Sequence, residues 1–218
     1  MKKGFIFDLD GVIVDTAKYH FLAWRKLANS IGVDFTSEQN EQLKGVSRVK
    51  SLEKILAWGN KTISEAQFSE LMHSKNEDYL SYIETMTSEE ILPDVFKVLD
   101  FLKEHNQAIA LGSASKNARV ILEKVELLDY FDTIVDGTNV TKAKPDPEVF
   151  LNAASQLDIT PAKCIVFEDS VAGVQAANTA NMTSIGIGTV NVLGEANEVY
   201  ADFTEMPISY LENFINQD

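Results

Sequence analysis

The segment KGFIFDLDGV, residues 3–12, decides the fold and places the first chemically active groups. Its apolar run at residues 5–7 predicts a short strand buried on both faces, and the run ends in two acids, Asp8 and Asp10, one residue apart. Neighbouring carboxylates repel each other, so the folded protein has to supply a cation or keep one acid protonated. In an open α/β sheet, ligands bind beyond the carboxyl ends of the strands, where both acids fall if this strand is central. The other interpretation is a simple chain reversal at the second acid and the glycine after it.

The composition predicts one sizeable core, or a core domain that carries a smaller insertion. The chain has 218 residues, of which 45% are apolar. Acidic residues outnumber basic ones by 33 to 19, and the formal charge of −14 repels nucleic acids and anionic membrane surfaces. An anionic small substrate would therefore need a local cluster of Lys, Arg or bound metal. We expect no nucleic acid and no membrane as partner, and a monomer.

The cysteine content and the first residues indicate a protein of the reducing cytoplasm. Cys164 is the single cysteine, so it has no partner for an internal disulfide, and it opens an apolar run at residues 164–167 that is typical of a packed core thiol. Lys2 and Lys3 precede a short apolar run, but Asp8 interrupts that run too early for a signal peptide. No apolar run approaches membrane-spanning length.

The region between residues 15 and 91 has a helical pattern throughout. Apolar positions recur at three- and four-residue spacing over residues 16–31, and Gly32 follows as a C-terminal cap. Short polar connections separate further helical stretches at residues 39–43, 47–58 and 64–83. Ser64 is the expected N-cap of the last of these. No strand is predicted in this region.

From residue 92 onward, strand-like and helix-like segments alternate. Predicted strands lie at residues 108–111, 133–135, 164–167 and 183–187. Predicted helices lie at residues 95–102, 117–125, 147–157 and 171–180. Strands that alternate with helices form right-handed crossovers and a parallel sheet. The sequence therefore predicts an α/β fold: a Rossmann-like parallel-sheet core, residues 1–14 and 92–218, with a helical cap domain, residues 15–91, inserted after the first strand.

Polar residues follow the predicted second and third strands. The segment GSASKN, residues 112–117, places hydroxyls at the start of a helix, where Oγ and backbone N–H groups can bind a phosphate. An ordinary Ser or Asn N-cap is the alternative. Lys144 precedes a helix that begins near Pro147 with Asp146 as its cap, and a cation is disfavoured there unless an anion is also present. A solvated loop lysine describes Lys142 better than Lys144.

A second acid pair, Glu168 and Asp169, follows the strand predicted at residues 164–167. One explanation is that Asp169 caps the next helix. The other is a metal site, because carboxylates from two separated strands that converge at one sheet edge are what Mg²⁺ requires.

These motifs occur in the same order as in a known superfamily. Two acids, a serine, a lysine and a second acid pair follow successive strands, and in this the whole chain resembles the haloacid dehalogenase superfamily of phosphoryl-transfer enzymes, including a helical cap inserted after the first motif. Within the superfamily, sugar-phosphate mutases are most similar in the segments DLDGV (8–12), KGVSR (44–48), SASKN (113–117), KP (144–145) and EDS (168–170). The resemblance implies interconversion of β-D-glucose 1-phosphate and glucose 6-phosphate through an aspartyl phosphate and a β-glucose 1,6-bisphosphate.

The resemblance also assigns roles to the core residues. It implies that Asp8 is the nucleophile and that Asp10 is the acid and base for the sugar oxygen. Ser113 and Lys144 correspond to the hydroxyl and the lysine that orient the phosphate and balance its charge. Mg²⁺ is the implied cofactor, with its ligands from Asp8, Asp169, the backbone carbonyl of Asp10, and Glu168 directly or through water.

A mutase needs a second, non-reacting phosphate site, because its bisphosphate intermediate has to rebind in reverse. By the resemblance, Arg48 supplies a bidentate fork for that phosphate, and His20, at the joint between core and cap, positions Asp10 as the cap closes. Ordinary packing is the alternative for His20 and Trp24. The residues implied to bind the sugar phosphate are Thr16, His20, Trp24, Lys44, Gly45, Val46, Ser47, Arg48, Ser51, Lys75, Asn76, Ser115, Lys116 and Asn117.

Three other functions compete with this interpretation. A capped sugar-phosphate phosphatase of the same superfamily shares the whole core and differs by releasing phosphate. A dehalogenase has no use for Lys144, Ser113 and Mg²⁺ acting together on a phosphate. A signalling receiver also combines clustered acids, a hydroxyl, a lysine and Mg²⁺ around a phosphorylated Asp, but it has no need of a helical insertion that encloses a substrate.

Overall fold

A parallel sheet forms the centre of the molecule. The structure, a computed structural model, describes residues 2–44 and 46–217, and in these residues six strands form one sheet in the order β3-β2-β1-β4-β5-β6. The strands are β1 (Gly4–Phe7), β2 (Ala108–Gly112), β3 (Thr133–Val135), β4 (Cys164–Glu168), β5 (Thr183–Ile187) and β6 (Glu198–Tyr200). β1 is central and pairs with β2 and β4. The expected Rossmann-like sheet is confirmed.

Ten α-helices of the described residues surround the sheet or lie beyond its edge. They are α1 (Ala17–Ser30), α2 (Ser37–Glu41), α3 (Arg48–Trp58), α4 (Glu65–Ile83), α5 (Val95–Glu104), α6 (Ala118–Lys124), α7 (Glu148–Gln156), α8 (Val171–Thr179), α9 (Val190–Leu193) and α10 (Ile208–Asn216).

The core explains why β1 is a continuous apolar run. Phe5 and Phe7 belong to the apolar cluster on one face of the sheet, and Ile6 belongs to the cluster on the other face. All three side chains are fully buried, as expected for a strand covered by helices on both sides. Cys164, on β4, is also buried, and burial raises the pKa of its thiol to about 12, so it is a packed core thiol as expected.

The register of β1 determines which residues meet at the carboxyl end of the sheet. Phe7 pairs with Leu111 on β2 and with Phe167 on β4. The next residues along these strands are Asp8, Gly112 and Glu168, which therefore leave the sheet at the same level. The first acid pair, the serine segment and the second acid pair are thus brought to one edge by strand pairing alone.

The predicted strands agree with the observed ones to within one residue. Three elements near the C-terminal side are not predicted from the sequence, namely α9, β6 and α10. α9 has four residues and β6 has three, too few for a periodic pattern to be recognised. α10 has nine residues and buries Leu211 and Phe214, so its apolar spacing was a signal that the analysis overlooked.

Helices α1 to α4 form a unit with its own apolar cluster, which includes Trp24, Phe35 and Ile55. No strand occurs among the described residues of this region. Gly32 has a φ of +66°, the left-handed conformation expected at a helix C-terminus, and Ser64 caps α4 in a capping box with Gln67. The helical prediction for this region is confirmed.

The chain crosses between the helical unit and the sheet at two adjacent points. Val14 and Ile91 form an antiparallel bridge, and the backbone N–H of Asp15 donates to the carbonyl of Glu90 at 3.0 Å. The Glu90 carboxylate also accepts hydrogen bonds from the Tyr19 hydroxyl at 2.7 Å and from Lys18 Nζ at 2.5 Å. The division into core and cap at these crossings stays a prediction, which the paired linkers support.

Within the described residues, no helix has both the length and the apolar character needed to cross a bilayer.

The end of β4 approaches the first turn of α8 very closely. The carboxylate of Glu168 accepts hydrogen bonds from the backbone N–H of Ser170 at 2.8 Å and from its hydroxyl at 2.9 Å. A Cβ atom at Gly173 would lie 1.8 Å from Oε1 of Glu168. A glycine is therefore required at this position for Glu168 to take up its buried place at the sheet edge.

We predict that Gly173→Ala lowers the free energy of unfolding by roughly 1–3 kcal/mol, because the added methyl group overlaps a buried carboxylate that has no room to move. Urea denaturation of the variant and the wild type measures this change. Val171→Ala, at a partly exposed position of the same helix, is the control. Equal stability of Gly173→Ala and the wild type would show that Glu168 is not held as described.

Candidate active site

A cavity of about 530 Å³ lies between the carboxyl ends of the strands and the helical unit. The predicted site residues that line it are Asp8, Asp10, His20, Trp24, Lys44, Val46, Ser47, Arg48, Ser51, Lys75, Ser113, Ser115, Lys116, Asn117 and Asp169. Thr16, Asn76 and Lys144 lie behind this lining, and each hydrogen-bonds one of its residues. Gly45 lies outside the described residues. Core and cap segments far apart in the sequence thus share one cavity.

Lys144 forms ion pairs with two carboxylates just behind the residues that line the cavity. Its Nζ lies 2.6 Å from Oδ1 of Asp8 and 2.5 Å from Oε1 of Glu168. Burial raises the pKa of Asp8 to about 7, against the opposing charge of Lys144. Burial lowers the pKa of Lys144, but the two carboxylates outweigh this and raise it above its ordinary value. Lys144 is therefore a permanent cation beside Asp8.

Glu168 does not line the cavity. It is fully buried, with one carboxylate oxygen bound by Lys144 and the other by Ser170. Successive residues at the end of a strand point to opposite sides, so Asp169 lines the cavity while Glu168 points behind it. The role expected for Glu168 as a metal ligand, directly or through water, stays a prediction. Glu168 fixes the ammonium of Lys144 next to Asp8.

The carboxylates that line the cavity have raised pKa values although two lysines lie near them: Nζ of Lys144 lies 2.6 Å from Oδ1 of Asp8, and Nζ of Lys44 lies 3.7 Å from Oδ2 of Asp169. Burial, together with repulsion from Glu168 and Asp8, raises the pKa of Asp169 well above its ordinary value. Burial also raises the pKa of Asp10. A Cβ atom at Gly11, whose φ is +79°, would lie 2.3 Å from Oδ2 of Asp169, so this acid packs directly against the loop that follows β1. These acids would be stabilised as anions by a bound cation.

The available donors suit Mg²⁺ better than a metal that needs an all-protein cage. No three His, Cys, Asp or Glu side chains within residues 2–44 and 46–217 form a complete metal site. Mg²⁺ is commonly held by one or two carboxylates, with water and substrate phosphate oxygens as its other ligands. Asp8 and Asp169 supply two carboxylates at the cavity, and the backbone carbonyl of Asp10 belongs to the loop that follows β1. The residues present therefore fit Mg²⁺.

Asp10 is held by two residues of the segment that enters the cap. The hydroxyl of Thr16 donates a hydrogen bond to Oδ1 of Asp10, and Nε2 of His20 lies 3.9 Å from the same oxygen. Burial, then the charges of Lys75 and Arg48, lower the pKa of His20 well below its ordinary value. Nδ1 of this imidazole lies 2.9 Å from Nζ of Lys75, and in the tautomer whose Nδ1 accepts a hydrogen bond from Lys75 the Nε2–H faces Asp10.

Two cations of the helical unit face the cavity without an acidic partner. Lys75 is 2% exposed, and its Nζ lies 4.8 Å from the ring centroid of Trp24 and 4.5 Å from that of Tyr79. Burial lowers the pKa of Lys75 to about 7, and the charge of Arg48 adds to this. Burial also lowers the pKa of Arg48. Among the described residues, no carboxylate forms a salt bridge with either side chain, so both are placed to bind an anion.

The serine segment after β2 forms a chain of local hydrogen bonds. The Ser113 hydroxyl accepts from the backbone N–H of Ser115 at 3.1 Å, and the Ser115 hydroxyl accepts from that of Asn117 at 3.2 Å. Asn117 stands at the N-cap position of α6, but its side chain makes no cap bond and donates to Oδ1 of Asn76 at 3.1 Å. The ordinary N-cap interpretation is therefore not what this segment shows.

Several residues that the sequence analysis did not select also line the cavity. They include Asn40, Leu43, Met72, Gly137, Val140 and Thr141. Thr141 is fixed by Glu148 at the start of α7, whose carboxylate accepts from both its backbone N–H and its hydroxyl. Lys142 is at the cavity rim, largely exposed, with its Nζ 3.4 Å from Asp146. A buried polar residue on an otherwise polar helix, such as Asn40, has no recognisable motif in the sequence.

The chain is similar to known proteins in both sequence and fold. Residues 2–181 match the family model described as haloacid dehalogenase-like hydrolase. The chain is 44% identical to the β-phosphoglucomutase of Bacillus subtilis (strain 168) over 96% of this chain and 93% of that protein. It is 32% identical to the phosphorylated carbohydrates phosphatase of Thermotoga maritima, over 87% of this chain and 86% of that protein. The crystal structure of β-phosphoglucomutase from Clostridium difficile superimposes with a TM-score of 0.94 at 44% identity, covering 99% of this chain and 98% of that one. The chain belongs to the haloacid dehalogenase-like hydrolase family.

Proposed function

We propose that this protein has β-phosphoglucomutase activity and converts β-D-glucose 1-phosphate to glucose 6-phosphate through a phosphorylated Asp8 and a β-glucose 1,6-bisphosphate. The observation that carries the proposal is the presence of two separate positive regions around one cavity. Lys144 lies beside Asp8, and Lys75 and Arg48 face the cavity from the cap without acidic partners. A phosphatase needs one phosphate site, whereas a bisphosphate needs two.

The reaction consists of two in-line phosphoryl transfers. In the first, the 6-hydroxyl of the sugar attacks the phosphorus of phosphorylated Asp8, and Asp10 accepts the hydroxyl proton. The bisphosphate then rebinds in the opposite orientation. In the second transfer, Asp8 attacks the phosphorus at the 1-position, and Asp10 returns the proton to the departing sugar oxygen. Thr16 and His20 orient Asp10 through both steps.

The remaining groups stabilise charge. Lys144 stays close to Asp8, where it balances the negative charge of the carboxylate and of the phosphoryl group. The Ser113 hydroxyl orients the phosphate oxygens. Mg²⁺, held by Asp8, Asp169 and the backbone carbonyl of Asp10, would neutralise the repulsion between the attacking carboxylate and the phosphate. We further propose that the enzyme acts as a monomer in the cytoplasm.

We predict that purified protein with Mg²⁺, β-glucose 1-phosphate and a trace of the bisphosphate accumulates glucose 6-phosphate without inorganic phosphate. Phosphorus NMR separates the two products. The sugar hydroxyl is held in the cavity by its own phosphate, so it attacks phosphorylated Asp8 in preference to water. Inorganic phosphate appearing as fast as the substrate disappears would establish the phosphatase instead.

We predict that Arg48→Ala reduces mutase turnover by roughly 100-fold or more, because it removes a preorganised donor for the non-reacting phosphate. Phosphorylation of Asp8 by a small donor such as acetyl phosphate has no second phosphate and stays close to the wild-type rate. Arg25→Ala, at an exposed position of α1, is the matched control. Equal losses in turnover and in Asp8 phosphorylation would contradict a separate role for Arg48.

Lys75 gives a prediction about pH. Its pKa is about 7 in the folded protein and close to 10.5 in the unfolded chain. Between these values the unfolded chain holds a proton that the folded protein has released, so Lys75 makes stability rise with pH above 7. Lys75→Met removes this contribution. The free energy of unfolding of the wild type minus that of the variant should therefore increase by about 1 kcal/mol per pH unit between pH 7 and 9.

Urea denaturation at pH 7, 8 and 9 measures this difference, and Lys54→Met, at an exposed position of α3, is the control. Lys75→Met should also bind sugar phosphates more weakly than the wild type does, because a bound anion restores the positive charge of Lys75, which methionine cannot carry. Parallel pH dependence in Lys75→Met and the wild type would show that Lys75 does not lose its proton on folding.

A further inference from the structure

Asn40 is the buried residue of α2, a helix of five residues in the cap. A capping box fixes the start of this helix: the Thr36 hydroxyl accepts from the backbone N–H of Gln39, and Oε1 of Gln39 accepts from the backbone N–H of Thr36 at 3.0 Å. Phe35 and Leu43, on either side of the helix, are buried in the apolar cluster of the cap. The position of Asn40 is therefore set by rigid neighbours and not by its own side chain.

The side chain of Asn40 is 8% exposed and lines the cavity. Its backbone groups are paired, since its N–H donates to the carbonyl of Thr36 and its carbonyl accepts from the N–H of Leu43. Among the described residues none forms a hydrogen bond with its side-chain amide, and neither amide atom is fully buried. A polar amide that no protein group pairs is hydrated in aqueous solution, and a ligand that displaces such water has to replace its hydrogen bonds.

The chemistry of an amide indicates which group of a ligand can replace the hydrogen bonds between water and the side chain of Asn40. The phosphate-binding positions of the cavity are already occupied by cations, namely Lys144 near Asp8, and Lys75 and Arg48 on the cap. An amide is neutral and carries both a donor and an acceptor, whereas a phosphate oxygen accepts only. A sugar hydroxyl both donates and accepts, so it is the part of a sugar phosphate that can satisfy both ends of the amide.

We propose that Asn40 is a specificity-determining residue that hydrogen-bonds a ring hydroxyl of the substrate. This inference rests on the proposed function, because it takes the substrate to be a sugar phosphate. The bond forms between the cap and the sugar, so it contributes to recognition of the sugar ring and not to the chemistry at Asp8. A substrate that lacks the matching hydroxyl leaves the amide unpaired in a filled cavity and is bound less well.

The test combines Asn40→Leu with substrates that lack one hydroxyl each. Leucine has a similar size and shape and forms no hydrogen bond. We expect kcat/KM for β-glucose 1-phosphate to fall roughly 10- to 100-fold, as for the loss of a substrate hydrogen bond that leaves a polar group unpaired. With the 2-, 3- and 4-deoxy analogues, one analogue should show nearly equal kcat/KM for wild type and variant, because the bond is already absent. The other two should keep the full difference.

Stability separates this role from a structural one. An amide that contacts only cavity water can be replaced by leucine without loss, so the melting temperature of Asn40→Leu should equal or exceed that of the wild type. Asn29→Leu makes the same change at an exposed position of α1 and should leave both properties unchanged. If Asn40→Leu does not fold, Asn40→Ala is measured against the same substrates.

Two results would overturn the inference. If the wild type converts all these substrates and Asn40→Leu lowers kcat/KM by the same factor for the parent substrate and for all three deoxy analogues, the role of Asn40 is contradicted. The proposed function is not affected by this result. A wild type that converts none of these sugar phosphates would overturn the proposed function, and this inference with it.

Discussion

The ion pair between Lys144 and the two carboxylates of Asp8 and Glu168 is the interaction on which the site depends. Three charged side chains from three separated segments meet with almost no access to water. Such an arrangement is stable only if each charge keeps its partner, because removal of one leaves an uncompensated charge in the interior. The sheet satisfies this condition by register: β1 and β4 pair so that Asp8 and Glu168 leave the sheet at the same level. The order of the strands is thus linked directly to the chemistry.

The fold, and most of the site, follow from patterns that depend on few residues at a time. A continuous apolar run predicts a strand covered on both faces, and β1 is one. Helical spacing and a capping residue predict α4, and Ser64 caps it. An anionic substrate requires a local cluster of Lys, Arg or bound metal in a chain with a formal charge of −14, and Arg48 and Lys75 at the cavity are the candidates for it. These features are local, so the sequence carries them directly.

The features that the sequence does not carry depend on three-dimensional packing. Glu168 and Asp169 are adjacent carboxylic acids that the sequence alone does not distinguish. Only Asp169 lines the cavity, because Ser170 and Gly173, at the start of α8, pack against Glu168. Asn40 has no distinguishing neighbours in the chain. Its burial depends on Phe35 and Leu43 packing into the cap, and its exposure to the cavity depends on how the cap meets the core. Assignments of this kind require the coordinates.

The electrostatics of the two halves are complementary in a way that bears on how the enzyme chooses its phosphoryl acceptor. The core presents acids whose pKa values are raised by burial even beside Lys144 and Lys44, so a further cation would stabilise them. The cap presents Lys75 and Arg48, with which no carboxylate of the described residues forms a salt bridge, so an anion would stabilise them. In the proposed function, a metal ion would add positive charge to the core, and the non-reacting phosphate of a sugar would pair with the cations of the cap. Water carries no such anion, so in the proposed function its binding does not favour the closed position of the cap over phosphorylated Asp8. Thr16 hydrogen-bonds Asp10, and Nε2 of His20 lies 3.9 Å from it, so in the proposed function a closure of the cap would also bring Asp10 into position as acid and base. In the proposed function, the binding energy of the second phosphate is thus what favours transfer to a sugar over hydrolysis.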